Sequence, residues 1–248
     1  MTAIGCRSPT FLTREEWKTI PWSANPSSKD FQQLLLDHLA DIPTLLTQFD
    51  ILVEAETNGM TYSQTQGQRD MFCGLLTDLE YCVRRWKREQ ADPRDQPFEG
   101  FLVSTPHNIL PNFQCHDVLS GAIITPALIV YPNADIALAH CWYYLALLVV
   151  SLYDIRTEGR IQPDEKYILA CSICRSMEYC VQTVRGPSSM LSLFALRVAY
   201  DTFVEESIER RWAKDVFLMA WKASNLQACA TLMQEFSVLN GRDPSVMG

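Results

Sequence analysis

Hydrophobic positions dominate one stretch of the chain, ADIALAHCWYYLALLVVSLY from Ala134 to Tyr153. Only Asp135 and His140 interrupt it with strongly polar side chains. A helix that is apolar on every side must be buried on every side, either in a bilayer or in the middle of a helical core. Its length suits a membrane span. Asp135 and His140, however, would both be costly in hydrocarbon, and no basic flank accompanies the run. The pattern therefore predicts a central core helix, with Asn133 as its N-cap.

The other apolar positions recur at three and four residues, the helical period. Residues 1–26 read as an irregular arm, punctuated by Pro9, Pro21 and Pro26 and pinned to the body by Trp17 and Trp22. A helix is expected after an N-cap at Ser27-Ser28, through Phe31 to Leu39. Pro43 breaks or kinks the pattern, and a second run extends from Thr44 to Glu56. Asn58-Gly59 is a turn signal. Thr61 to Gln68 reads as a polar loop, and Arg69 to Gln90 as an amphipathic helix of about six turns.

Residues 91–113 hold Pro93, Pro97, Pro106 and Pro111 without a clear period, and read as an internal linker. From Gln114 to Pro132 the chain is mixed, with short helical turns or extended pieces. After the central run, Pro163-Asp164-Glu165 fits a first helical turn and Tyr167 to Val184 an amphipathic helix. Gly186-Pro187 breaks it. Met190 to Thr202 and Ile208 to Leu239 read as two more helices, followed by a frayed tail at 241–248. No run alternates over strand length. The expectation is an all-α fold, an irregular multi-helix bundle around the 134–153 helix, with one domain over 27–240.

Composition narrows the function classes. The 248 residues carry a net charge of −8, which argues against direct nucleic-acid binding, since that needs a clustered Lys/Arg face. The nine cysteines fall mostly inside apolar runs, as small buried hydrophobes do. The first ten residues have no apolar segment of a secretory signal, so the reading is a reducing, intracellular compartment. Phosphate loops, dinucleotide fingerprints and paired-histidine zinc helices are absent from the sequence. No metal and no cofactor is expected.

Several stretches in order resemble the regulatory (middle-homology or effector) domain of fungal zinc-cluster transcription factors. They are PTFLTREEWKTIPW (Pro9–Trp22), LLLDHLADIPTLL (Leu34–Leu46), the 134–153 run, ICRSMEYC (Ile173–Cys180), LSLFALRVAYDT (Leu191–Thr202) and a closing helix with ERRWAKDVF. The resemblance covers most of the chain. It implies a helical effector domain in the cytoplasm or nucleus of a fungus, holding a hydrophobic small molecule between helices or engaging a protein partner. That partner would be a second copy or a full-length regulator. The family's six-cysteine, two-zinc DNA-binding module has no counterpart here. Cys171-x-x-Cys174 with Cys180 lies inside a predicted helix and lacks a second cysteine triplet.

Candidate walls for an apolar ligand are Trp142, Tyr143 and Tyr144 on the central helix, Phe194 and Tyr200 on a later one, and Met219 and Trp221 near the end. An alternative is that the same pocket is recruited as a cofactor-independent cyclase or isomerase (pericyclase-like) in fungal polyketide or terpenoid metabolism, since positioning alone accelerates such reactions. Its acid/base candidates are His140, whose titration a dry pocket would tune, and His116. Cys115-His116-Asp117 has triad-like composition, but neighbours in a chain rarely face one another. His116 alone, at a loop edge, is the better candidate.

Overall fold

The computed structural model describes residues 9–91, 98–100, 109–184 and 188–224, and they form an all-α bundle with two minimal antiparallel ladders. The helices are α1 (Glu15–Thr19), α2 (Phe31–Leu39), α3 (Ile42–Thr57), α4 (Tyr62–Trp86), α5 (Ala134–Leu152), α6 (Pro163–Thr183), α7 (Ser188–Thr202) and α8 (Ile208–Ser224). The strands are β1 (Phe98–Gly100), β2 (Cys115–His116), β3 (Ile123–Ile124) and β4 (Leu128–Val130). β1 pairs with β4, and β2 with β3.

The 134–153 run is the core helix α5. The Asn133 side chain accepts from the Ile136 amide at 2.9 Å, capping it as expected. It packs against α6, α7, α4 and α2. By length and composition it is a helix that could cross a membrane, and 78% of its most apolar window is buried within the protein. Leu147, Leu148 and Val150 are fully enclosed. Burial of each such side chain is worth roughly 1.5–3 kcal/mol.

Local chemistry explains where the other helices begin. The N-cap of α2 is Asp30 rather than Ser27-Ser28: it exchanges bonds with Gln33 in a capping box. The expected break near Pro43 separates α2 from α3, and Pro43 sits in the first turn of α3, where its missing N–H costs nothing. The expected loop at 61–68 is instead the start of α4, because Thr61 and Gln64 form a second capping box. Past Trp86, α4 relaxes into a π-helical turn, Lys87–Ala91. The arm is tied down by charge. Lys18 pairs with Asp41 at 3.3 Å, and Lys29 donates to the Lys18 carbonyl. Trp22 is half-buried, whereas Trp17 is about half-exposed and packs edge-on against Phe11.

Part of the expected linker, residues 98–100, is strand β1. Residues 92–97 and 101–108 lie outside the described residues, as do the break at Gly186-Pro187, the end of the last helix and the tail. The mixed segment 109–131 is extended, not helical. It is laid across α6 by polar side chains of the ICRSMEYC stretch. Arg175 donates to the Ala127 carbonyl at 2.7 Å. Ser176 bonds the Tyr131 hydroxyl at 2.7 Å. Glu178 accepts from the amides of Ile109 and Leu110, both at 3.0 Å. Serine and glutamate on a core-facing helix face are thus explained: they satisfy backbone groups of a segment with few ladder partners.

A second buried polar knot closes the α4 side. Asp154, just past α5, has a fully enclosed side chain and accepts two bonds from the Arg156 guanidinium, at 2.8 and 2.7 Å, and one from its amide at 3.0 Å. Arg156 also reaches Glu80 on α4 at 2.8 Å. Arg84 joins Glu80 to Glu165 on α6. Burial pushes the Asp154 carboxyl up, but the Arg156 bonds outweigh it and hold it below its ordinary range.

Candidate functional site

Two places in the fold gather the residues singled out by the sequence. The first is a row of aromatic rings crossing the bundle beside α5. Phe31 on α2 stacks on Trp86 (centroids 6.3 Å apart), and Trp86 meets Tyr143 at 6.2 Å. Tyr143 touches Tyr144 at 5.5 Å, and Tyr144 faces His140 at 6.2 Å. His140 faces Tyr131 at 5.4 Å, and Tyr131 meets Tyr179 at 5.6 Å. The row is built by α5 geometry, since residues 140, 143 and 144 share one helical face.

His140 is fully buried within this row. Tyr143 and Tyr144 are half-buried and bring the row toward the surface. Burial pushes the phenols of Tyr131 and Tyr144 well up, so both stay protonated. Of the other candidate walls, Trp142 and Phe194 are buried in the core. Tyr200 lies under two guanidinium groups, Arg197 at 5.0 Å and Arg210 at 4.6 Å. Met219 is partly exposed on α8. The side chain of Trp221 lies outside the described residues. The structure therefore brings Tyr143, Tyr144 and His140 together and sets Tyr200 and Met219 on α7 and α8.

The second place is built around His116 at the end of β2. Its ring Nδ1 lies 2.8 Å from Oε1 of Glu209. The same carboxylate oxygen accepts the His116 amide at 3.0 Å and the Tyr167 hydroxyl at 2.5 Å. Glu209 is in the first turn of α8 and its side chain is 1% exposed, while the imidazole is 45% exposed. Burial pushes the Glu209 carboxyl up, but Tyr167 and the two His116 donors outweigh it and hold it at about 2. Glu209 is therefore a carboxylate, Nδ1 carries the proton it donates, and Nε2 is left as the basic nitrogen.

One turn along α8, Trp212 donates from Nε1 to the Pro111 carbonyl at 2.7 Å and packs edge-on against Phe113 at 4.9 Å. Glu209 and Trp212 together hold the 111–116 segment against the bundle. On the other side of β2, Cys115 is buried and shares a hydrogen bond with the Cys171 thiol. That bond holds Cys115 below, and pushes Cys171 above, the ordinary thiol range. Cys115 and His116 point to opposite faces of the strand. Asp117 is turned into its own β-turn, accepting from Ser120. The three neighbours thus do not form a triad. His116 instead finds its carboxylate 93 residues away.

Glu209 and Tyr167 were not legible as site residues. A glutamate in a helix's first turn is an ordinary dipole partner, and a tyrosine on an amphipathic helix is ordinary core. Among the described residues, no group of three or more His, Cys, Asp or Glu side chains is placed to hold a metal ion. Cys174 and Cys180 are buried, and Cys180 lies 3.7 Å from Cys141 on α5. Compared with models of protein families, with curated proteins and with solved structures, the chain matches none.

Proposed function

We propose that this protein is an effector-like helical module that holds a hydrophobic small molecule along its aromatic row. The observation that carries the reading is the row's course: seven rings from Phe31 to Tyr179, enclosed at Trp86, His140 and Tyr131 and half-buried at Tyr143 and Tyr144. Aromatic walls with a few placed hydroxyls are what apolar ligands with one polar group require. The ordered resemblance of the sequence to fungal regulators agrees with it. In this reading the protein works inside a fungal cell, in cytoplasm or nucleus, and binds no nucleic acid directly. The cysteines Cys73, Cys82, Cys115, Cys141, Cys171, Cys174 and Cys180 are all free thiols, as a reducing compartment favours. Self-association, or pairing with a full-length regulator, remains part of the proposal as its protein-level output.

The test uses protein purified from a fungal host. Denaturing extraction followed by mass spectrometry reads any retained apolar metabolite, and titration with ergosterol is followed by tryptophan fluorescence. The expected result is saturable, stoichiometric quenching that is weakened at least tenfold in Tyr144→Ala. The reading fails if nothing is retained and Tyr143→Ala and Tyr144→Ala respond to ergosterol as the wild type does.

A further inference from the structure

We propose that the His116–Glu209 pair is a base that removes a proton from apolar small molecules carrying their own leaving group. This activity is separate from binding along the aromatic row and stands whether or not that row holds a ligand.

Three observations lead to it. First, the geometry orders the ring. Glu209 Oε1, almost wholly enclosed, takes the Nδ1–H at 2.8 Å and leaves the Nε2 lone pair on a half-exposed ring. Among the described residues Nε2 has no hydrogen-bond partner. A carboxylate behind an imidazole fixes its tautomer and stabilises the imidazolium that forms on protonation. Second, the carboxylate is itself held from behind. The Tyr167 hydroxyl and the His116 amide both point at the same oxygen, so the charge cannot swing away.

Third, the surroundings select the substrate. Ile123 stands directly across the ladder from His116, and directly opposed residues share a face. The hairpin that carries both exposes Val118 and Leu119 as well, Leu119 at 96%. Exposed aliphatics beside the imidazole invite an apolar molecule, not a charged one. The donors around the ring are already engaged. Tyr167 O–H is taken by Glu209, and the Ser120 amide and hydroxyl by Asp117. A carbanion or enolate would thus find little stabilisation from the protein. The suitable substrate expels its charge on a leaving group as the C–H bond breaks.

The probe that meets this description is 5-nitrobenzisoxazole. Nε2 takes the proton of the ring C–H. The electron pair of that bond becomes the third bond of a nitrile, the N–O bond breaks, and its pair leaves on oxygen as a coloured phenolate. The imidazolium then returns its proton to water. A positioned general base contributes about 10²–10⁴-fold.

The experiment compares the wild-type chain with free imidazole at equal concentration. The expected result is a saturable rate about 10²-fold above imidazole. His116→Ala should fall to the imidazole level, and added imidazole should restore part of the loss. Glu209 is a positioning residue. Glu209→Gln should lower kcat about tenfold with little change in KM, and nitrogen NMR of His116 should show its proton moving from Nδ1 to Nε2. A wild-type rate no higher than free imidazole overturns the proposal without recourse to any variant. So does a rate that survives His116→Ala, or a His116 ring protonated on Nε2 in the wild type.

Discussion

Replacing Glu209 by glutamine tests the assembled site through folding as well as through chemistry. The side chain is enclosed and one oxygen takes three donors, from Tyr167, the His116 amide and the His116 ring. The carboxyl moves from an ordinary value of 4.5 to about 2 on folding. At 1.36 kcal/mol per unit, this favours the folded state by about 3 kcal/mol when the group is ionised. Glutamine imitates the protonated acid, so Glu209→Gln should cost about 3 kcal/mol at pH 7. With a urea slope of about 3 kcal/mol per molar, the unfolding midpoint should fall by about 1 M. Because the folded pKa is depressed, the contribution is fully present above pH 4.5 and is lost as pH falls through about 2. The difference between wild type and variant should therefore shrink steadily between these limits. Urea titrations read by tryptophan fluorescence at pH 7, 4 and 2.5 measure it, with Trp212 one turn from the substitution as a local reporter. A penalty under 1 kcal/mol at pH 7, or one that does not change with pH, would refute the account of Glu209 as an ionised anchor.

Other parts of the fold answer to separate measurements. Arg156→Met leaves the enclosed Asp154 carboxylate without its main partner and should destabilise by about 3–5 kcal/mol in urea unfolding; Asp154→Leu in the same chain should recover most of that. Leu147→Ala opens a cavity in a fully enclosed stretch of α5 and should cost about 3–5 kcal/mol, also read in urea. Glu178→Ala strands the amides of Ile109 and Leu110, and hydrogen exchange should speed selectively at those two positions. The Asp201 carboxyl, pushed up to about 6 by burial against the pull of Arg197, works in the opposite sense to Glu209. Its raised pKa means that stability from this group falls as pH rises from about 4 to 6, and a carbon NMR titration of Asp201 should show a midpoint near 6.

Periodicity, capping chemistry and composition were enough to determine the helical class and the identity of the core helix. A run such as 134–153 has no face that tolerates water, so whatever fold forms must wrap it, and Asn133 marks its start by a local bond. Where local signals competed, the order of strength was legible only in part. The Thr61–Gln64 capping box outweighed the polar look of residues 61–68, and Asp30 with Gln33 outweighed Ser27-Ser28. Extended pieces were legible as one alternative for residues 114–132, but their pairing into ladders was not, because strands of two or three residues show no period.

What tertiary structure alone decided is which distant groups meet. His116 was legible as a candidate, but the carboxylate that orders it lies 93 residues on, in a helix turn that looks like any other. His140 and the tyrosines of α5 were visible as a polar ring and a greasy wall, yet their place in one continuous row depends on Trp86, Tyr131 and Tyr179 arriving from three other elements. Helix formation is decided by residues within a turn of one another. The meeting of charges and rings depends on how whole helices stack, and that information is spread over the entire core.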